Sequence, residues 1–571
     1  MAGAATLVVA VAVWGGSLPT RQRVLSPPAT TDGTVAGILH VHTTRSDGRL
    51  PPAAVAAAAQ RAGLQFVVFT DHGDGTRAPD PPTYYGSVLA LDGVEVSTTQ
   101  GHYIAIGLPA TPFALGGEPA DVVDDVRYFG GVGIVAHPDS SRPSLRWTRW
   151  DLPIDGVELD NLDSAWRRRW DGSLRDRLLL GASLLSYWTR PAETVTRLAD
   201  GEAARTPPWD SIARTRPLLM VAGADAHGGV VGDEGRGAWP WSIPVPNYDA
   251  TFAALSVHVH PREAWTGHAA HDAAALTDGL RDRRAFVVYD GLATPASAEL
   301  SVRSVDGLVH EGGHLVASAR LHLAFRHNGP PEAMTVVTRN GHRVAMPVPG
   351  QVVEQDLPGE PGSYGVQVTW PGTQQRWLVM NPFTVTAQSE RGTATAPTPD
   401  IRPEAWASLL VPPTSWALEH APGTDASLMP MSEGLRFRYQ LDDGPNRVAA
   451  VVRRGETAPS AWRAGLRLTA EAPVPTRVAV QVRADAGPET GHRWQRSLRL
   501  DTTRRTWTLD AQAFTPIDAT RALADVRDPV SLLIVVDGVH SPAGATGTVT
   551  IHEVAVDAVQ GPAAASGPHA Q

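Results

Sequence analysis

The chain has 571 residues, 42% of them hydrophobic, a formal charge of −10 and no cysteine. Two to four globular domains are expected at this length. The acidic balance argues against general nucleic-acid binding, and the absence of cysteine excludes both a disulfide framework and a thiolate metal site.

Residues 1–30 open with an apolar run, Ala4 to Trp14. It is too short for a confident membrane span and suits a signal segment or short anchor, so an extracytoplasmic protein is expected. Residues 31–295 alternate short apolar runs with helical stretches, the pattern of βα units. The predicted strands lie at Val35–Leu39, Phe66–Thr70, Gly93–Val96, Tyr103–Leu108, Val132–Ala136, Gly156–Leu159 and Leu218–Ala222. Between them, Pro51-Pro52 and Gly63 bracket an alanine-rich helix. A second helix is predicted over Ala120–Phe129 and a longer one within Asp163–Leu185, whose Trp166 and Trp170 read as packing residues. Residues 296–388 give short alternating segments, read as a small β-sandwich. Residues 389–405 read as a linker, 406–558 as a β-rich, jelly-roll-like domain, and 559–571 as a disordered tail.

Polar residues gather at the strand ends. The first run closes in His40-Val41-His42, and side chains two apart on a strand share a face, so both imidazoles can grip one ion. Asp47 follows on the next turn. Later ends carry Asp71-His72, Glu95, His102, His137, Asp160-Asn161 and Asp225-Ala226-His227. In a barrel of parallel strands the C-terminal ends converge on one face. A donor set of nitrogen and oxygen suits Mn²⁺, Fe²⁺ or Zn²⁺. Its size implies two or three ions, and a carboxylate such as Glu95 can bridge two of them. Paired ions can share a hydroxide and clamp both oxygens of an in-line displacement, which is hydrolysis without a protein nucleophile.

In this order and at these intervals, HVHTTRSDG, FTDHGD, GVEVS, GHYIAIGL, VAHP, GVELDN and GADAHGG resemble the polymerase and histidinol phosphatase (PHP) superfamily of metallohydrolases. The match covers roughly Val35 to Asp290, and within the family it is most similar to the exported branch that includes carbaryl hydrolases. The resemblance implies an α/β fold, a distorted seven-stranded (β/α) barrel, followed here by two β-sandwich or jelly-roll-like domains. It implies a first ion on His40, His42, Glu95 and Asp225, a second on Asp47 and His72, and a third on His102, His137 and His227, with Glu95 bridging. Asp47 stands where many members have histidine.

The activity expected is metal-dependent phosphoester hydrolysis of a small-molecule ester, with a metal-bridging hydroxide as nucleophile. One alternative is a carbamate or ester hydrolase with the same metals. Another is an exported carbohydrate- or surface-binding protein with an inactive barrel. Asp71 is expected to orient a neighbouring histidine or to serve as general acid. Arg142 and Arg236 could clamp a phosphoryl group, whereas Trp147, Trp150, Trp239 and Trp241 would suit an apolar carbamate pocket. Asn161 lines the pocket or caps its turn. The second H-x-H, within Ser256–His260, reads as a surface strand, and His268 and His271 are given no role. The C-terminal β-domain could contact carbohydrate or a cell surface.

Overall fold

A computed structural model describes residues 18–27, 33–199, 210–229, 245–305, 307–373, 375–387, 406–456, 459, 462–488 and 490–558. Most of the expected leader, the linker at 389–405, the tail at 559–571, and Arg236, Trp239 and Trp241 lie outside the described residues. The chain divides into two compact units, Met1–Ala110 with Gly116–Ser389, and Thr111–Leu115 with Glu390–Gln571.

In the first unit seven strands close a barrel: β1 (Val35–Val41), β2 (Phe66–Phe69), β3 (Val88–Thr98), β4 (Gly101–Ile106), β5 (Val132–Val135), β6 (Gly156–Asn161) and β7 (Leu219–Ala226). Neighbours pair in that order and β7 returns to β1. The barrel is mixed. Six strands run one way and β4 runs against both neighbours, because β3 and β4 are joined by the tight turn Thr99-Gln100, too short for the crossover a parallel pair needs. The start of β4 therefore lies on the same rim as the ends of the other six, and His102 joins that rim from the opposite direction.

The alanine-rich helix α1 spans Pro52–Arg61, with proline in its first turn and Gly63 in the left-handed region just past its end. Helix α2 (Pro119–Tyr128) precedes β5. The single long helix expected after β6 is two, α3 (Leu162–Asp171) and α4 (Leu174–Tyr187). Gly172 ends the first, and Ser173 with Asp176 forms a capping box that starts the second. Helix α5 (Pro191–Ala199) packs beside them.

The strand β8 (Ser256–Val259) corrects the surface-strand expectation. It is buried along its length, paired antiparallel with β1 on one side and with β9 (Ala285–Val288) on the other. Its register sets His258 opposite Ala36, at the end of β1 away from His40. His258 stacks on Phe286 at 4.7 Å and His260 Nδ1 lies 2.8 Å from Glu311, so this H-x-H belongs to the opposite rim and to the core. Strand β9 pairs antiparallel with Arg376–Met380 of the small β-sandwich. The boundary expected near residue 295 is therefore a shared sheet inside one unit, with Phe286, Phe325, Tyr364 and Trp377 in a common apolar core.

The second unit is a β-sandwich of two six-stranded antiparallel sheets. Phe437, Leu468, Val480, Trp494, Ile534 and Val549 fill the space between them, as the period-two alternation of these strands requires. No helix among the described residues is long and apolar enough to cross a membrane.

Candidate metal centre

Strand β1 carries the first ligands, but not by simple alternation. Its pairing slips between Leu39 and Val41 against β7, and between Ile38 and Val41 against β2. His40 sits in that bulge with φ of 60°, and a bulge re-aims its side chain. Among the described residues, five that are not glycine have positive φ, and three of them are His40, His137 (28°) and Asp225 (47°). Such backbone is held only where the surroundings over-determine it, and here all three meet at one point.

Glu95 lies at that point, buried, with both oxygens engaged. Its Oε1 is 2.8 Å from His102 Nδ1 and 2.9 Å from His137 Nε2. Its Oε2 is 3.3 Å from His40 Nε2, 3.2 Å from His42 Nε2 and 3.2 Å from His72 Nδ1. Asp225 Oδ1 is 3.4 Å from both His40 Nε2 and His42 Nε2. Asp47 Oδ2 is 3.2 Å from His227 Nε2 and 3.7 Å from His72 Nε2. One carboxylate thus faces five imidazoles, a bridging position.

The far sides of the rings are fixed by groups that can only accept. His40 Nδ1 donates to Glu158 Oε1 at 2.6 Å, His137 Nδ1 to the Leu145 carbonyl at 3.0 Å, and His227 Nδ1 to the Asp225 carbonyl at 2.9 Å. In each, the proton on Nδ1 leaves the Nε2 lone pair aimed inward, the orientation metal-binding histidines take. His102 is turned the other way, its Nε2 3.2 Å from the Ser97 hydroxyl and its Nδ1 toward Glu95.

The residues fit a cation. His40 Nε2 and His42 Nε2 are buried and have no hydrogen-bond partner, a costly state for a polar atom, although both face carboxylates within 3.4 Å. Four donor groups each converge to within 4.8 Å: His40, His42 and Asp225; His42, Asp47, His72 and His227; His40, Glu95 and His137; His72, Glu95 and His102. The expected set of His102, His137 and His227 is not one of these groups: His137 groups with His40 and Glu95, His102 with His72 and Glu95, and His227 elsewhere. That ring stacks on His42 with centroids 4.2 Å apart and joins Asp47, not His102 and His137.

The electrostatics follow from burial among opposite charges. Burial opposes charge on His42, yet the facing carboxylates of Asp225 and Glu95 hold its pKa up at about 10. Burial likewise opposes charge on His40, but Glu158, Asp225 and Glu95 raise it above the ordinary value. His137 and His227 are also raised against burial, by Glu95 and Asp47 respectively. Burial dominates at His72 and lowers it. Glu95 and Asp225 are held well below the usual carboxylate range by His40 and its neighbours, although burial alone would raise them.

The structure also places the residues around the cluster. Asp71 touches none of these imidazoles through its carboxylate hydrogen bonds. Its Oδ1 accepts from the Thr43 N–H and the Ser46 hydroxyl, both at 2.7 Å, and its Oδ2 from the Thr43 hydroxyl at 2.8 Å. It therefore fixes the turn that presents Asp47. The Arg142 carbonyl accepts from the Leu145 N–H at 3.1 Å, and the Leu145 carbonyl in turn accepts from His137. Asp160 turns away to Arg376 Nη2 at 2.8 Å and the Tyr289 hydroxyl. Asn161 caps α3, accepting from the Ser164 N–H, and also donates to Glu158 Oε2 at 2.9 Å. Trp147 is buried and stacked on Tyr103, a core residue and not a pocket wall.

Glu158 is the residue the sequence reading missed. Besides His40, it accepts from the His137 N–H at 2.6 Å. Its sequence signal was Gly223 on the neighbouring strand, where any Cβ would collide with the Glu158 carboxylate.

Asp47 and His72 are the partly exposed ligands, with side chains 27% and 37% accessible, so the cluster opens on their side. A cavity of about 140 Å³ adjoins His72 and is lined also by Arg45, Arg77, Asp92, Val94 and Leu108.

No protein-family model and no curated protein matches the chain. Among solved structures it is similar to the family 11 carbohydrate-binding module from Clostridium thermocellum in complex with a β-1,3-1,4-mixed-linked tetrasaccharide, at 13% identity over 25% of this chain and 88% of that one, TM-score 0.21. A CBM4 structure matches at 22% identity over 26% and 96%, TM-score 0.19, and an exo-β-agarase at 12% over 26% and 24%, TM-score 0.19. Likenesses this small carry no argument about what the chain binds or does.

Proposed function

We propose that the first unit is a metal-dependent hydrolase of the PHP type, acting on small phosphoesters through a cluster of two or three Mn, Fe or Zn ions. The observation that carries this reading is Glu95, one buried carboxylate with five imidazoles on its two oxygens. When bound, the cations would supply Lewis acidity, activation of a water and neutralisation of charge at the centre under attack. His40, His42 and Asp225 would hold one ion, and His42, Asp47, His72 and His227 a second. His102 and His137 would complete a site on the other oxygen of Glu95. Asp71 keeps the Asp47 turn in place, and Glu158 keeps His40 and the His137 backbone in place. Trp147, buried against Tyr103 in the core, supplies no apolar wall for the carbamate alternative.

For the second unit we propose contact with carbohydrate or a cell surface, since two-sheet jelly rolls are frames for lectin sites. Retention on insoluble β-glucan would support that role.

The catalytic reading is tested by metal analysis of the purified chain, followed by aryl phosphate mono- and diesters beside aryl carbamates and esters. Turnover of an aryl phosphate, abolished in His40→Ala and in Asp225→Ala, is the expected result. Turnover of carbamates alone would replace the phosphoester assignment, and full activity in both variants would remove the mechanism.

A further inference from the structure

Helix α4 is built inside out. Its buried residues are Ser183, Ser186 and Tyr187. Both serines accept from Arg197 Nη2 of α5, at 3.0 and 3.3 Å, and Ser186 also bonds Thr194 at 3.0 Å. The large apolar side chains face outward instead: Leu174, Leu178, Leu184, Leu185 and the adjoining Trp188, with Trp170 just before the helix, are 56–75% exposed. Successive helical residues turn by roughly 100°, so the five from Leu174 to Trp188 fall within one third of the helix circumference, opposite the serines. A surface helix normally turns its apolar stripe to its own core, and an exposed patch of this kind marks an interaction surface.

The pattern also says what covers it. Gly181 lies at the middle of the stripe. Leu174 stands seven residues before it and Trp188 seven after, while Leu178 stands three before and Leu184 three after. Four of the five positions are thus symmetric about one point, which matches a second copy running antiparallel across a twofold axis, where the same patch meets itself. Gly181 costs helix stability, yet a Cβ there would meet nothing within 4 Å in its own chain. The missing Cβ leaves room for close approach of another backbone. Six large side chains exposed to this degree offer on the order of 800 Å² per copy, what a standard interface takes from each partner.

We infer that the protein forms a twofold dimer through α4, crossing at Gly181, with Leu174 against Trp188 of the partner subunit and Leu178 against Leu184 of the partner subunit. This inference is independent of the metal centre. The chain has no cysteine, so single-cysteine variants report on the crossing directly. Sedimentation equilibrium of the full chain is expected to give twice the chain mass. Leu178→Glu combined with Leu185→Glu should weaken association by about 30-fold or more, with the far-ultraviolet spectrum unchanged because both positions are exposed. Gly181→Cys should oxidise to a disulfide-linked dimer and Leu174→Cys should not. A monomer at every concentration overturns the inference, as does equal cross-linking of the two cysteine variants. Binding of a monomeric chain to phosphatidylcholine vesicles through the same leucines would overturn it too, in favour of a membrane surface.

Discussion

His40 Nδ1 stands 2.6 Å from Glu158 Oε1, with both side chains buried. The pair fixes the tautomer of the neutral ring, so that once the Nε2 proton is released its lone pair is aimed toward Glu95 and Asp225. The same carboxylate, through Oε2, holds the main chain of His137. Two ligands on strands that do not pair with each other are thus set by one residue that faces no ion. Glu158→Gln is expected to leave the barrel folded and to lower metal affinity by about 10- to 100-fold, the usual cost of losing such support. Competition with a chromophoric chelator measures it. Unchanged affinity would show that Glu158 only fills space.

The raised imidazoles give the cluster a pH dependence with a definite sign. In the metal-free protein His42 keeps its proton up to about pH 10, and His40, His137 and His227 are shifted the same way. A cation needs the neutral ring, so each such histidine must release a proton on binding. Affinity should therefore rise with pH below 10, by about tenfold per unit for each proton displaced. For the metal-free fold the sign reverses. A folded-state pKa above the unfolded value stabilises below about pH 6.5, and that contribution is lost as pH climbs toward 10. Calorimetric titration in two buffers of different ionisation enthalpy counts the protons. Identical heats in both buffers would contradict the assignment.

Much of this centre was legible because its chemistry is carried by side chains at strand ends. His40, His42, Asp47, His72, Glu95, His102, His137, Asp225 and His227 are all brought to one rim. What periodicity could not read was backbone direction. His40 and His42 converge through a bulge with positive φ, and His102 arrives on a reversed strand. Nor could it rank residues whose polar atoms point inward. Glu158 sits mid-strand in GVELDN, where its neighbours Asp160 and Asn161 drew attention by standing at the end. The second H-x-H failed as a surface strand because burial on both faces comes from β1 and β9, partners distant in sequence.

Asp71 offers a clean separation of structural support from acid catalysis. Its three accepted hydrogen bonds all go to Thr43 and Ser46. Asp71→Ala leaves the buried Thr43 N–H without that acceptor, a loss of about 1.5–3 kcal/mol of stability by the usual cost of a bond to a charged acceptor. It should also loosen the Asp47 turn and weaken metal binding. If Asp71 were the general acid, the basic limb of the rate–pH profile would vanish while the melting temperature stayed put. The expected outcome is the reverse: a lower melting temperature, with both limbs retained at saturating metal.

Asp160 makes the corresponding case for the join between barrel and small sandwich. It leaves the end of β6 fully buried, and burial raises its pKa although Arg376 opposes the shift. Arg376, on the sandwich strand paired with β9, donates to it at 2.8 Å, and the Tyr289 hydroxyl donates as well. Removing one member of a buried pair leaves the other charge uncompensated, typically at a cost of about 3–5 kcal/mol, whereas removing both can be nearly neutral. Arg376→Met is therefore expected to lower the chemical denaturation midpoint markedly, and the double variant Arg376→Met with Asp160→Leu should recover most of the loss. Metal affinity measured under folding conditions should stay close to wild type in the double variant, because Asp160 points away from the imidazoles. A double variant as unstable as the single one would mean that this ion pair specifies the join between barrel and sandwich and is not replaceable by apolar contact.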